Sequence, residues 1–541
     1  VLTGIGAFCG GGGRARTVPD VAEARLPRPD LRIVAITDVM GYLEPCGCTS
    51  RPLGGIDRLA AALHELRDAG IPTVFVAAGD LFFDASSHGV ELPEAATQEI
   101  WKAETLAEVL SGLDLAGAAP GPLDLRFGAR TLRALRERAR FPLLAAGAEL
   151  ALAPAADDAA ARPPPEPFLG RVVRDVGGVR VGLIGLSDLE GEGIVRHGDP
   201  LDLAREQARA AREEGAEIVV ALTRLPRRIT RRVAREVPGI DFVVQGGLDE
   251  AAALVPSAEG RAALVHASRH SQGLLVVDVV RGEGERWIDA STWTRTVERD
   301  RLRADADALR ARIADWERDP SVVRADLDEQ RARLAAIEQR MREVARAPHI
   351  RGRTFAARFV ELPPEARRDP GVRSALDAYF QRVNEHNREV FASLLPPPAP
   401  EGAARYVGTP TCGECHVEEL AWWRTTLHGR AYRTLQELHK EYNLSCVGCH
   451  VTGYNRPGGS TVAHVGPLQD VGCEACHGPG SQHVVDPIGA AVNVQRDAPE
   501  ELCVGCHNPE HSDRFHYPTY RRMMIAPGHG LPASGAGATG T

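Results

Sequence analysis

VRVGLIGLS at 179–187 and EIVVAL at 217–222 are short, β-branched apolar runs, and between them Leu201 to Glu214 repeats its apolar residues at helical spacing. A strand that is apolar along its whole length is buried on both faces, and strand, helix, strand in that order reads as a βαβ unit. Toward the N-terminus the same pattern recurs in LRIVAIT (31–37), the helical stretch Ile56 to Ala69 and TVFVAAG (73–79); toward the C-terminus it ends with IDFVVQGG (240–247). The expectation is an α/β domain over 31–296, with a surface excursion at Ala153 to Pro167, rich in Ala, Asp and Pro.

Beyond Thr296 the period changes. Leu302, Ala306, Leu309, Ile313 and Trp316, then Val323, Leu327, Gln330, Leu334, Ile337, Met341 and Val344, step by threes and fours as the seam of two helices. Asp319-Pro320 separates them, because proline removes a backbone donor and ends a helix. An antiparallel helical hairpin is expected over 297–348, with a plain spacer and an arm for oligomerisation or docking both open as its use. Residues 349–404 read as a helical connector, Asp369 to Leu395, ending in the stiff linker PPPAP at 396–400. Residues 1–30 read as an export-signal remnant and linker: Val1 to Phe8 is apolar, and Cys9, a candidate lipid anchor, precedes Gly10 to Gly13.

Composition narrows the function classes. The chain has 541 residues, enough for several domains, and a formal charge of −9 that offers no basic face to nucleic acid. It has no run of 18 apolar residues, so no transmembrane span is expected. Its 11 cysteines are not spaced as a disulfide framework: eight form four pairs after residue 405, two form Cys46-Gly47-Cys48, and Cys9 stands alone. Eleven of the 18 histidines also lie after residue 405, which marks histidine there as a ligand.

Cys412-Gly413-Glu414-Cys415-His416, Cys446-Val447-Gly448-Cys449-His450, Cys473-Glu474-Ala475-Cys476-His477 and Cys503-Val504-Gly505-Cys506-His507 all read Cys-x-x-Cys-His, the attachment signature of c-type haem. Two cysteines so spaced reach the two vinyl groups of one porphyrin, and the adjoining histidine supplies the proximal nitrogen to iron. A zinc site built from four cysteines needs no such histidine. Finding it after all four pairs by chance is on the order of one in a million under the attachment-motif test. Four covalent haems follow, attached outside the cytoplasm, with His416, His450, His477 and His507 as proximal ligands and other redox proteins or cytochromes as partners.

RYVGTPTCGECH, WWRTTLHGRAY, CVGCHVTGY and GCEACHGPGSQH together resemble the tetrahaem cytochrome c family of nitrifying bacteria, over about Arg405 to His507 within a C-terminal domain at 405–541. The resemblance implies a mostly α, loop-rich fold and three distal iron ligands: His464 for the first haem, His428 for the third and His483 for the fourth. It further implies an open sixth position at the second haem, on His450, which His439, His511, His516 or His529 could instead close.

TDVMGYLEPCGCTSRPLGGIDRLAAAL, VAAGDLF, FPLLAAGAEL, VVALTRLP and DFVVQGG resemble, in that order, the metallophosphoesterase domain of periplasmic 5'-nucleotidases and thiosulfohydrolases, which implies an α/β sandwich of that kind. Those enzymes hold two metal ions on Asp, His and Asn side chains. Here Asp38 and Asp80 match, but Met40, Pro120-Gly121-Pro122, Arg224, Gly247 and Asp249 stand where the other ligands belong. A thioether and a guanidinium do not replace imidazoles around hard divalent ions, so no divalent metal is expected there. Cys46 and Cys48 sit beside that position, as packed or paired thiols or as a soft-metal or redox site. The sequence therefore points to an exported electron carrier, in the periplasm or on the outer surface of a Gram-negative-type bacterium, with a pseudo-phosphoesterase domain for docking or structure. The alternative is a haem oxidoreductase acting on a small nitrogen or sulfur compound at a five-coordinate haem.

Overall fold

The computed structural model describes residues 28–45, 52–85, 93–152, 164–248, 260–284, 286–318, 322–344, 352–489, 494–508, 511–512 and 514–526. Cys9, Cys46, Cys48, Asp249, His529, Asp319-Pro320 and most of the Ala153 to Pro167 excursion lie outside them.

The first sheet has six strands in the order β13 (Ile288–Asp289), β14 (Thr354–Glu361), β12 (Gly273–Val280), β1 (Leu31–Thr37), β2 (Thr73–Ala78), β3 (Leu115–Ala119). The second has five, in the order β11 (Ala263–Val265), β10 (Phe242–Gln245), β9 (Ile218–Arg224), β7 (Val179–Ser187), β6 (Arg171–Val176). β4 (Ala148–Leu150), β5 (Glu166–Pro167) and β8 (Ile194–Arg196) make a small third sheet. The opening βαβ unit is observed: β7 and β9 are parallel, joined through α4 (Pro200–Glu213), which Asp199 caps by accepting from the amides of Leu201 and Asp202.

Successive side chains of a strand point to opposite faces, and that alternation builds a four-layered sandwich. Ile33 and Ala35 of β1 share a buried cluster with Val181, Val220 and Phe242 of the second sheet, so the two sheets pack face to face. Val34 and Ile36 instead face α1 (Ile56–Asp68), α2 (Pro93–Gly112), α3 (Gly128–Arg138) and α8 (Pro370–Val390). The outer face of the second sheet, Ile184, Val219 and Val243, packs on α4 and α5 (Arg227–Glu236).

The hairpin forms as α6 (Thr292–Trp316) and α7 (Arg324–Val344). It buries Ala306, Leu309 and Ile313 of α6, while no residue of α7 is fully buried.

The 349–404 stretch differs from the expected connector. Its first part is β14, which pairs over eight residues with β12 and lies inside the first sheet. The hairpin is therefore an insertion in the α/β domain, which continues past residue 296. The charge of Arg358 within this strand is accommodated by ion pairing. Asp278 of β12 accepts from Arg358 at 2.7 Å and from Arg32 of β1 at 2.6 Å, so three neighbouring strands share one ion-paired ladder.

Candidate functional site: four attachment motifs and a closed carboxylate site

The C-terminal part is made of short helices: α9 (Thr409–Cys412), α10 (Val417–Trp423), α11 (Ala431–Gln436), α12 (Leu444–His450), α13 (Cys473–His477), α14 (Ser481–Val485), α15 (Glu500–Val504) and α16 (Tyr517–Met523). Each attachment motif lies on or just after one of them. A helical turn puts residues three apart on one face, so both sulfurs of a pair point the same way.

The histidines are held by their outer nitrogens. His450 Nδ1 donates to the Ala431 carbonyl and His477 Nδ1 to the Gln495 carbonyl, each at 2.6 Å. A carbonyl only accepts, so in both rings Nε2 carries the lone pair that an iron requires. His507 Nδ1 lies 3.1 Å from Ser512 Oγ, and His416 Nδ1 lies 3.9 Å from Glu419.

Two further imidazoles face proximal ones. The rings of His416 and His483 have centroids 6.3 Å apart, and those of His428 and His507 are 6.0 Å apart. His483 Nδ1 is buried without a hydrogen-bond partner. Burial pushes the pKa of both His428 and His507 down, which keeps them neutral lone-pair donors at pH 7.

These neighbours are not the ones carried over from the resemblance. His428 stands beside His507 rather than His477, His483 beside His416 rather than His507, and His464 turns its Nε2 to the Ala392 carbonyl at 2.7 Å. The reason for His428 is local. No single helix runs from His416 to His428: α10 stops at Trp423, where the Thr425 and Thr426 hydroxyls take the Trp422 and Trp423 carbonyls at 2.6 and 2.7 Å. The chain turns there, pinned by Trp423 Nε1 donating to the Val471 carbonyl at 2.9 Å.

Contacts between motifs set which of them adjoin. The Cys412 side chain neighbours that of Cys473, and the Cys449 side chain neighbours that of Cys506. The first motif thus sits on the third and the second on the fourth. Glu474, at one of the two x positions of the third motif, reinforces the first pairing. Its buried carboxylate accepts from the amides of Val407 at 2.9 Å, Gly408 at 2.7 Å and Gly480 at 2.7 Å. Sequence reading missed that role, although Val407, Gly408 and Gly480 all lie in the stretches that carry the resemblance.

In the α/β part the carboxyl ends of the central strands converge, where open α/β sheets place ligands. Asp38 and Asp80 are there, buried, but their oxygens are already engaged. Asp38 accepts the Gly247 amide at 2.8 and 2.9 Å; Asp80 accepts the Leu123 amide at 2.8 Å and Arg224 Nε at 3.0 Å. Arg224 also reaches Asp188 at 3.4 Å. The replacements fit one another. Gly247 has φ +75°, and a Cβ there would lie 2.5 Å from Arg224 Cζ, so the guanidinium occupies space that a histidine side chain would need. A Cβ at Gly121 would collide with Asp80 Oδ1. Burial raises Asp38 to about 7 against the bond from Gly247, and burial raises Asp124 to about 7 as well. Chemically this is a guanidinium neutralising a carboxylate cluster. Among the described residues no group of three or more His, Cys, Asp or Glu is arranged to hold a metal ion.

Residues 411–478 match the family model described as Cytochrome c554 and c-prime. A curated relative, cytochrome c-554 of Nitrosomonas europaea, is 36% identical over 93 residues, which is 14% of this chain and 40% of the relative. Among solved structures, a 5'-nucleotidase precursor from Thermus thermophilus is 18% identical with a TM-score of 0.42, covering 68% of this chain and 60% of that one. The sulfate thiohydrolase SoxB of Thermus thermophilus is 14% identical with a TM-score of 0.43, covering 67% and 62%.

Proposed function

We propose that this chain is an exported electron carrier that holds four c-type haems in its C-terminal part, on an α/β frame that no longer supports metal-dependent hydrolysis. The observation that carries the reading is the set of four Cys-x-x-Cys-His segments on short helices, brought together in two adjoining pairs. Haem supplies a one-electron iron couple whose potential depends on axial ligand, burial and nearby charge. The residues fit it. Cys412, Cys415, Cys446, Cys449, Cys473, Cys476, Cys503 and Cys506 would be its thioether attachment points. A metal bonded to one nitrogen of each of two imidazoles, at ~2 Å apiece, sets their centroids on the order of 6 Å apart. His416 with His483, and His428 with His507, meet that spacing.

Apolar surface supports the same reading. Nine of the fourteen large hydrophobic side chains exposed among the described residues lie in the C-terminal part, including Val417, Leu427, Val485, Ile488 and Met523. Porphyrin faces would cover part of this surface. Export follows from where thioether attachment takes place, and no helix of the described residues is long and apolar enough to cross a membrane. Intact mass of the purified protein is expected to show four haem additions, with peptide mapping locating one at each cysteine pair. Three or fewer, or bound zinc, would sink the proposal.

The α/β part is a pseudo-phosphoesterase because N–H donors hold the carboxylates that a dinuclear centre would need. The purified protein is expected to hydrolyse nucleotide monoesters no faster with added manganese than without. A manganese-stimulated rate that is lost in Asp80→Asn would show that metal can displace Arg224.

A further inference from the structure

We propose that the α/β part positions one haem of the four, the one attached at Cys446 and Cys449 with His450 as ligand, and sets its potential apart from the others. The inference rests on the four-haem reading above and gives the pseudo-phosphoesterase part a task.

The attachment helix α12 is held at its N-terminus by residues of that part. The Leu444 amide donates to Gln98 Oε1 at 3.0 Å, and Gln98 belongs to α2. Asn387 of α8 donates to the same oxygen at 3.0 Å and to the Tyr442 carbonyl at 2.9 Å. Asn443 caps the helix by accepting the Ser445 amide at 3.0 Å, and Gln98 Nε2 lies 3.3 Å from Ser445 Oγ. Gln98, Asn387 and Asn443 are each no more than 5% exposed.

Apolar packing continues the same seam. Val447, between the two cysteines, is fully buried in a cluster with Leu444, Tyr432, Phe391 and Ala95 of α2. Just before the helix, Lys440 pairs with Glu44, which also pairs with Arg373 of α8. The other end is fixed by His450 Nδ1 on Ala431. By contrast Glu474, Gln495 and Ser512, which hold the other three motifs, all belong to the C-terminal part.

A buried amide network restricts the geometry of the chain it holds, here through the Asn387 Nδ2 and Gln98 Oε1 contacts while Asn387 Oδ1 has no partner among the described residues, and outer hydrogen bonds orient a metal-ligating histidine and tune its metal. Gln98 and Asn387 are therefore positioning residues for a single redox centre. Lys440, ion-paired with Glu44 just before α12, contributes a positive charge on that segment, and positive charge favours the reduced form of an iron centre.

The test uses the full-length haem-loaded protein and a spectroelectrochemical titration that resolves four one-electron components. His450→Met marks the component that belongs to this haem. In Gln98→Leu that component alone is expected to move, changing its reduced-to-oxidised ratio at fixed potential by about tenfold, or ~59 mV for one electron. Amide exchange at Leu444 should accelerate. In Lys440→Met the same component should fall, because a favourable charge for the reduced form is gone; this variant decides the matter where Gln98→Leu does not fold. Four haems with all components unmoved, or a shift spread equally over all four, would overturn the inference and leave the four-haem reading standing. Fewer than four haems in the parent protein would overturn both.

Discussion

Arg224→Ala is expected to destabilise the α/β part by about 3–5 kcal/mol, the usual cost of removing one partner of a buried ion pair. Asp80 is fully buried and, among the described residues, accepts from the Leu123 amide and Arg224, so the variant takes away one of the two donors of an interior carboxylate. Asp38 and Asp188 lose the same countercharge. The loss should depend on pH with a definite sign. Asp38 and Asp124 have folded pKa values of about 7, above their ordinary 3.8, so between about pH 4 and 7 the native state binds more protons than the unfolded one. Stability then falls as pH rises through that window. Removing Arg224 pushes the carboxylates up further, so the deficit should be largest above pH 7 and shrink toward pH 5, where protonated carboxyls need no counterion. Chemical denaturation monitored by tryptophan fluorescence at the two pH values measures it. A deficit below about 1 kcal/mol, or one that grows on acidification, would show that Arg224 is a solvated arm rather than the replacement for a metal centre.

That site also shows how much of the structure was legible in the sequence. The residue types at Met40, Gly121, Arg224 and Gly247 are visible in the sequence as poor ligands for a hard divalent ion, because ligand chemistry is a property of single residues. Their mutual fit is not, because it depends on Arg224 crossing to Asp80, 144 positions away. The same distinction separates β1 and β7, whose bounds are the apolar runs themselves, from β14. Nothing local announces that TFAARFVE rejoins a sheet after the inserted hairpin, and its Arg358 is made tolerable only by Asp278 on another strand. In the C-terminal part the four Cys-x-x-Cys-His segments are legible because their spacing is a property of the chain itself, and haem attachment to them is the proposal. Which motif adjoins which is decided by turns such as the one after Trp423 and by Glu474, whose carboxylate serves three amides outside its own motif.

His428→Met is expected to change one haem only, the one whose proximal ligand is His507. His428 follows the turn that ends α10 and stands 6.0 Å from the His507 ring, half-buried, with its own carbonyl tied to the Val471 amide. A methionine there either ligates through its thioether, giving histidine-methionine coordination, or fails to reach and leaves the iron high-spin. Thioether ligation favours reduced iron, so the midpoint potential should rise on the order of 0.1 V, within the roughly 0.8 V that axial ligands command. His483→Met should do the same to a different component, the haem on His416, because His483 stands 6.3 Å from that ring. Electron paramagnetic resonance of the two variants, with a redox titration of each, separates the assignments. Two variants that displace the same component would contradict the pairing of His428 with His507. A His428 variant with unchanged low-spin signals and potentials would leave that imidazole as ordinary packing. The expected pattern, one component lost in each variant and a different one each time, would fix two of the four irons by sequence position, and it would do so through residues that lie 79 and 67 positions from the histidines they face.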